Sequence, residues 1–107
     1  MSNQIFKHRE SDIKRAIEYY LKVRGCLVIP YRTTGIRTAN KGWIPARRTG
    51  ISDLLGLTRE GRFFAIEVKV PGGRLSPEQD QFLKSVLSFG CIAMVAMSVD
   101  DVIKGGL

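Results

Sequence analysis

Residues 66–70 read Ile-Glu-Val-Lys-Val and alternate two charged side chains with three aliphatic ones. Because successive side chains of a β-strand point to opposite faces, Glu67 and Lys69 share one face of the predicted strand. The preceding Phe63 and Phe64 indicate that this strand is interior. A carboxylate in such a place can bind a divalent cation, and an ammonium can contact a phosphate or act on an attacking water. An isolated Glu–Lys pair would also fit a structural ion pair, so the neighbouring residues must decide.

A second carboxylate is predicted to face Glu67 across a hairpin. Segments 51–57 and 62–70 are typical of two strands joined by a tight turn centred on Glu60. Paired residues then have numbers that sum to about 120, so Asp53 lies opposite Glu67, with Cβ atoms about 5 Å apart. The same register predicts the pairs Leu55–Ala65 and Leu57–Phe63. Like charges at that distance are unfavourable, and a divalent cation between them would explain their presence. Oxygen ligands favour Mg²⁺, with Mn²⁺ as a substitute.

Two more polar residues accompany the predicted helices. Glu10 lies three and seven positions before Ile13 and Ile17, on or near the apolar stripe of the first helix. Gln79 has the same relation to the apolar residues of the second helix. Each residue also has a structural interpretation, because Glu10 suits the positive end of a helix and Gln79 suits a capping box with Ser76. Both interpretations stay open on the sequence alone.

The charge of the chain points to a polyanion. Seventeen Lys and Arg residues against ten Asp and Glu give a net charge of +7, which suits nucleic acid, although it could serve solubility alone. Residues 32–50, the basic segment, contain no acid and show no clear period, so we expect a long functional loop. Trp43 could anchor this loop or stack on a base. Five of its side chains are expected to contact nucleic acid: Arg32, Arg37, Lys41, Arg47 and Arg48.

The elements that must position these residues follow from periodicity and from stop signals. The predicted elements are a helix over 10–24, strands over 26–31, 51–57 and 62–70, a helix that begins at Ser76-Pro77, a strand over 91–98 and a helical turn over 100–104. We expect one α/β domain over residues 1–107, with a flexible N-terminus at about 1–9. Its main order is α-β-β-β-α-β, with a mixed sheet flanked by helices.

The ordered set of motifs resembles the PD-(D/E)xK nuclease superfamily and, within it, the VRR-NUC family of small stand-alone phage-type and repair-associated nucleases. The resemblance covers most of the chain. Glu67-Val68-Lys69 matches the ExK element, and Gly50-Ile51-Ser52-Asp53 matches the Gly-x-x-Asp element, with serine where the family usually has proline. Leu75-Ser76-Pro77-Glu78-Gln79 looks like the signature that follows, and Glu10 matches the acidic residue of the first helix.

This resemblance implies a restriction-endonuclease-like core and an endonuclease that hydrolyses DNA phosphodiester bonds with a metal ion. The implied catalytic residues are Asp53, Glu67, Lys69, Gln79 and Glu10. The implied Mg²⁺ ligands among them are Asp53 and Glu67, joined by the backbone carbonyl of Val68 and, through water, by Glu10. Single-domain members of the family look like homodimers that act on branched DNA such as four-way junctions, so we expect the same here. RNA stays open as a substrate.

Two rival functions fit parts of the pattern. A non-catalytic nucleic-acid-binding module of the same fold would bind without metal and would not cleave. An interaction protein that retained the fold would bind another protein and have no affinity for polyanions. The complete set of Asp53, Glu67 and Lys69 argues against both rivals.

The cysteines and the hydropathy of the chain indicate which cofactors and which cellular location to expect. Cys26 and Cys91 lie far apart in apolar surroundings, so we expect reduced core thiols and no zinc site. We also expect no small-molecule cofactor. His8, the single histidine, is expected at the surface. No apolar run is long enough for a membrane span, and the N-terminus lacks the apolar core of a signal peptide. We therefore expect no membrane association and a cytoplasmic location, in a bacterium or a phage-infected host.

Overall fold

The computed structural model describes residues 9–30, 36–38, 42–44 and 50–107. In chain order the elements are α1 (Glu10–Val23), β1 (Leu27–Pro30), β2 (Ile36–Thr38), β3 (Gly42–Ile44), β4 (Leu54–Leu57), β5 (Phe63–Val68), α2 (Pro77–Ser88), β6 (Ile92–Ala96) and α3 (Val99–Lys104). Every predicted helix and strand is present. Their ends lie within three residues of the predicted ones, and several coincide with them.

Four strands form a mixed sheet in the order β1-β4-β5-β6. The neighbours β1, β4 and β5 are antiparallel, whereas β5 and β6 are parallel. The β4–β5 hairpin pairs Leu55 with Ala65 and Leu57 with Phe63, which confirms the predicted register. Gly61, in the turn of this hairpin, has φ +88°, a conformation that glycine adopts without steric cost. The domain is thus a small α/β fold with helices against a mixed sheet, as predicted.

Helices α1 and α3 pack on one face of the sheet. Ile17 and Leu21 of α1 are fully buried in one apolar cluster with Phe64 and Ile66 of β5. Their spacing presents a single apolar stripe to the sheet, and each buried side chain of this size contributes about 1.5–3 kcal/mol. In the part of the chain that the structure describes, no helix is long and apolar enough to cross a membrane.

Helix α2 packs on the opposite face. Its residues Leu83 and Val86 form a second cluster with Ala65 of β5. The predicted start of the helix is confirmed, because Ser76 is the N-cap and Pro77 is the first helical residue. The two faces of β5 therefore have different roles. One face is wholly apolar, and the other carries Glu67 and Lys69 beside α2.

The two cysteines lie on opposite sides of the sheet. Cys26 packs against the α1 cluster and Cys91 against the α2 cluster. Both are free and half-buried, at the margins of the core. Burial raises the pKa of the Cys26 thiol, which lowers its reactivity.

The basic segment differs from its prediction as a long loop. It contains a two-stranded antiparallel sheet in which Ile36 pairs with Ile44 and Arg37 with Trp43. Each strand has three residues, too few for a two-residue hydrophobic period to be visible in the sequence. The described chain therefore has five strands before α2, where the predicted order has three.

Several predictions concern positions outside the described residues. The predicted flexibility of the N-terminus concerns residues of which 1–8 lie outside the described part, and so does the predicted surface position of His8. The predicted nucleic-acid contacts also fall there, because the structure describes only the backbone of Arg37 and Trp43 and none of Arg32, Lys41, Arg47 or Arg48.

Candidate active site

The two predicted metal-binding carboxylates meet where the β4–β5 ladder ends. Leu54 and Ile66 form the last pair of the ladder. Asp53 immediately precedes Leu54 and Glu67 immediately follows Ile66, so the predicted Asp53–Glu67 pairing falls one step beyond the ladder. Asp53 leaves the ladder because its Oδ2 accepts a hydrogen bond from the Val68 N–H at 3.1 Å, and β4 therefore begins three residues later than predicted. Both carboxylates are buried, with 8% of Asp53 and 2% of Glu67 exposed.

The two oxygens of the Glu67 carboxylate have different surroundings. Oε2 accepts a hydrogen bond from Gln79 Nε2 at 3.0 Å and lies 3.7 Å from the Lys69 ammonium. Oε1 is buried and has no hydrogen-bond partner among the described residues. Buried polar atoms are normally paired, and an unpaired one costs free energy. Oε1 is therefore a candidate ligand atom.

The surroundings raise the pKa of Glu67 from its ordinary value of 4.5 to about 7. Burial is the largest cause and the negative charge of Asp53 is the next, while the Lys69 ammonium opposes both. When protonated, the Glu67 carboxyl can also donate a hydrogen bond to the Asp53 side chain, which raises the pKa further, and the charge of Glu10 adds a smaller repulsion. A buried carboxyl whose pKa is raised in this way is typical of functional sites. A cation between them would favour the ionised form of both.

Gln79 is at once a capping residue and a site residue. Its N–H donates to Ser76 Oγ at 3.1 Å, and its side-chain Oε1 accepts from the Ser76 N–H at 2.9 Å. Because Oε1 faces a backbone donor, the amide can turn only its NH₂ group toward Glu67. The two interpretations of Gln79 that the sequence left open are therefore compatible, and the cap determines which end of the amide meets the carboxylate.

Lys69 is held by the turn that follows β5. The Gly73 N–H donates to Val70 O at 2.8 Å, and Gly72 has φ +88° after Pro71, the pattern of a type II turn. The turn brings Gly73 onto the stem of Lys69, since a Cβ at residue 73 would lie 3.4 Å from Lys69 Cβ and 3.5 Å from Lys69 Cδ. The Lys69 side chain is consequently only 16% exposed.

Val68 follows Glu67 in β5, and Glu10 acts on the site through its charge. A residue in an antiparallel ladder directs its N–H and its C=O to the same neighbouring strand. The Val68 carbonyl therefore points to the edge where the Val68 N–H meets Asp53. Glu10 is the first residue of α1 and is exposed, and its charge reaches Glu67.

These groups fit a hard divalent cation. The unpaired Oε1 of Glu67, the Asp53 carboxylate and the Val68 carbonyl are all oxygen donors, the type that Mg²⁺ prefers. Among the residues that the structure describes, no three His, Cys, Asp or Glu side chains come close enough together to hold a metal ion. A cation here would thus have two protein carboxylates, and Mg²⁺ commonly takes one or two together with water and phosphate.

The elements and the site together define a class. An aspartate and an ExK element on paired strands, with a glutamine on the following helix, give a nuclease-type fold of the PD-(D/E)xK kind. A family model described as "VRR-NUC domain" matches residues 36–100, more than half of the chain. The chain therefore belongs to the VRR-NUC family, a nuclease family, which implies DNA as a substrate.

A solved structure described as "VRR_NUC domain" has the same fold. It is similar to this chain with a TM-score of 0.64 at 21% sequence identity, over 89% of this chain and 90% of that one. At this identity the likeness shows the fold alone. No curated protein matches the chain.

The sequence interpretation named the four side chains that meet here but missed the residues that hold them. It gave Ser76 only a capping role. It took Gly50 as part of a motif, without a structural reason. The signal for Ser76 was its three-residue spacing from Gln79. In a capping box with this spacing, the backbone N–H of the N-cap residue holds the side chain three residues later.

Proposed function

We propose that this VRR-NUC chain is a metal-dependent DNA endonuclease that hydrolyses phosphodiester bonds and prefers branched DNA such as four-way junctions. One observation carries the proposal: Glu67 Oε1 is buried beside Asp53 without a partner among the described residues. A module that only bound DNA would gain nothing from this arrangement, because burying an unpaired carboxylate oxygen destabilises the fold.

The proposed metal ion is Mg²⁺, which Mn²⁺ can replace. Asp53, Glu67 and the Val68 carbonyl would hold it, and Glu10 would contribute through water. When bound, the ion would supply an activated water and positive charge at the phosphate.

The side chains of the protein have roles of their own in this proposal. The Lys69 ammonium, 3.7 Å from Glu67 Oε2, can contact a phosphate oxygen while it stays beside the carboxylate. A positive charge held there by packing stabilises the negative charge that develops on the phosphate in the transition state. Gln79 holds Oε2 and thereby leaves Oε1 to the metal. Hydrolysis of this kind depends mostly on position and charge.

The basic segment is the proposed DNA contact. It contains no acid and supplies Arg32, Arg37, Lys41, Arg47 and Arg48. It ends at Gly50, three residues before Asp53, so a DNA backbone that binds to it lies close to the carboxylates. Phosphate contacts of this type give binding that weakens with salt and does not depend on base sequence.

A homodimer would account for a preference for branched DNA. One site cuts one strand, and a two-fold dimer places two equivalent sites across a symmetric junction. The charge of +7 on each chain would double and attract several duplex arms. Sedimentation at micromolar concentration tests the assembly, because a mass near 12.0 kDa would mean a monomer.

The function is tested by incubating the protein with plasmid, linear duplex, single-stranded, flapped and four-way DNA in Mg²⁺, Mn²⁺ or chelator. We expect cleavage with either metal, none with chelator, and faster cleavage of the four-way junction than of the linear duplex. Binding without cleavage in every metal would support the non-catalytic module instead. Equal rates on both duplex substrates would remove the preference for branches, and a matched RNA junction tests the sugar.

A further inference from the structure

Gly50 packs directly against the first turn of helix α2. A Cβ at residue 50 would lie 2.8 Å from Glu78 Cβ, 2.9 Å from Glu78 O and 3.0 Å from Glu78 C. The last two are backbone atoms, which cannot move unless the helix moves. Gly50 also has φ +88°, which L-residues with a side chain rarely adopt. Two separate requirements therefore select glycine at this position.

This contact joins the two halves of the site. Gly50 lies three residues before Asp53 on one side, and on the other side Glu78 immediately precedes Gln79. Gln79 donates to Glu67 Oε2 at 3.0 Å. A shift of the Glu78 backbone therefore reaches this hydrogen bond across a single peptide unit.

The size of the shift decides whether the hydrogen bond survives. Nonbonded carbon atoms pack at about 3.5–4.0 Å, so a methyl group at residue 50 would push the Glu78 backbone by roughly 0.5–1 Å. A hydrogen bond lengthened by that amount from 3.0 Å would pass the distance at which it still counts as one.

We infer that Gly50 is a positioning residue of the active site, whose backbone contact with Glu78 holds the Gln79 amide on Glu67. This inference rests on the proposed nuclease function, in which that amide leaves Glu67 Oε1 free for the metal. The residue itself touches neither substrate nor metal.

The chain offers a matched control for the test. Gly61 has the same φ of +88°, and a Cβ there would meet no atom within 4 Å. Gly50→Ala and Gly61→Ala therefore impose the same backbone strain, and only the first adds a contact with the helix. We expect Gly50→Ala to lower kcat on the DNA junction about tenfold or more with KM little changed, and Gly61→Ala to leave both constants unaltered. An equal loss of kcat in the two variants would overturn the inference.

A second measurement needs no substrate. The side-chain NH₂ signal of Gln79 in ¹H–¹⁵N spectra should shift in Gly50→Ala and stay in place in Gly61→Ala. This readout survives if the wild type fails to cleave DNA, so failure of the proposed function and failure of this inference are distinguishable. If Gly50→Ala does not fold, Gly50→Asn serves instead, because Asn tolerates positive φ better and adds the same Cβ. An unmoved Gln79 signal in a folded variant would contradict the inference.

A double-mutant cycle tests the route of the effect. If Gly50 acts through Gln79, adding Gly50→Ala to Gln79→Ala should lower kcat by less than twofold beyond Gln79→Ala alone. Effects that multiply would show that Gly50 acts independently of the amide, and would overturn the inference.

Discussion

The two ends of the β4–β5 hairpin use polar groups in opposite ways. At the turn end, Thr58 and Arg62 satisfy one another, since Thr58 N–H donates to Arg62 O at 2.9 Å and Arg62 N–H donates to Thr58 Oγ1 at 3.0 Å. At the site end, Asp53 and Glu67 are buried side by side, and Glu67 Oε1 has no partner within the described residues. The turn end is organised for stability. The site end retains buried charged groups that selection for stability alone would remove, and this contrast supports the proposed placement of the active site at that end.

The largest expected effect comes from neutralising the site end. Asp53→Asn or Glu67→Gln should lower the rate of DNA cleavage at least about 100-fold, because each change would remove a ligand charge from the metal of the proposed mechanism. DNA affinity should persist or rise, since a negative charge near the phosphates is lost. The measurements are single-turnover cleavage of the junction and DNA binding in chelator.

The turn end supplies the control for this prediction. Glu60→Gln makes the same chemical change at an exposed position of the turn and should leave cleavage unaltered. Residual activity above about a tenth of wild type in an Asp53→Asn, Glu67→Gln double variant would contradict the metal assignment, because loss of a catalytic metal costs several kcal/mol of transition-state stabilisation.

The second prediction concerns stability against pH without metal. The pKa of Glu67 is about 7 in the folded protein and near its ordinary 4.5 in the unfolded chain, so the folded state holds the extra proton between these values. The contribution of this proton to the free energy of unfolding is therefore fully present below about pH 4.5 and is lost as pH rises through 7. The full loss should be on the order of 3 kcal/mol, since a pKa difference of one is worth about 1.4 kcal/mol.

Urea unfolding of wild type and Glu67→Gln at pH 5 and pH 8 measures this loss. The variant should be less sensitive to pH and more stable than wild type at pH 8, because its amide never ionises. Added Mg²⁺ should restore the wild type at pH 8 and have little effect on the variant. A wild type that is equally stable at both pH values would show that folding does not raise the pKa of Glu67.

Sequence patterns predicted the parts of this structure that depend on neighbours along the chain. The hairpin register that brings Asp53 to Glu67 and the capping box of Ser76 and Gln79 are both short-range features. Contacts between elements were not predictable in this way. The approach of Gly50 to Glu78 depends on how α2 packs against the sheet, and no period in the sequence encodes that packing.

The third prediction compares arginines of the basic segment with one at the turn end. Arg47→Ala and Arg48→Ala should each weaken DNA binding by a similar factor on all sequences and reduce the salt slope by about one ion. Arg59→Ala removes an exposed charge at the far end of the hairpin and should change neither quantity. The measurement is DNA affinity from about 50 to 200 mM salt. A wild-type affinity that stays constant over this range would remove the electrostatic basis of the proposal.

The smallest expected effects come from removing one hydroxyl group at each end of the hairpin. Ser52 is 1% exposed, and its Oγ has no hydrogen-bond partner among the described residues, whereas Thr58 Oγ1 accepts from the Arg62 N–H. Ser52→Ala should therefore be neutral or stabilising by up to about 1 kcal/mol, and Thr58→Val should cost about 1 kcal/mol. Urea unfolding at a single pH measures both, and cleavage should be unchanged in each. A loss of more than about 1 kcal/mol in Ser52→Ala would mean that a buried water satisfies this hydroxyl, and the site end would then carry one unpaired oxygen, that of Glu67.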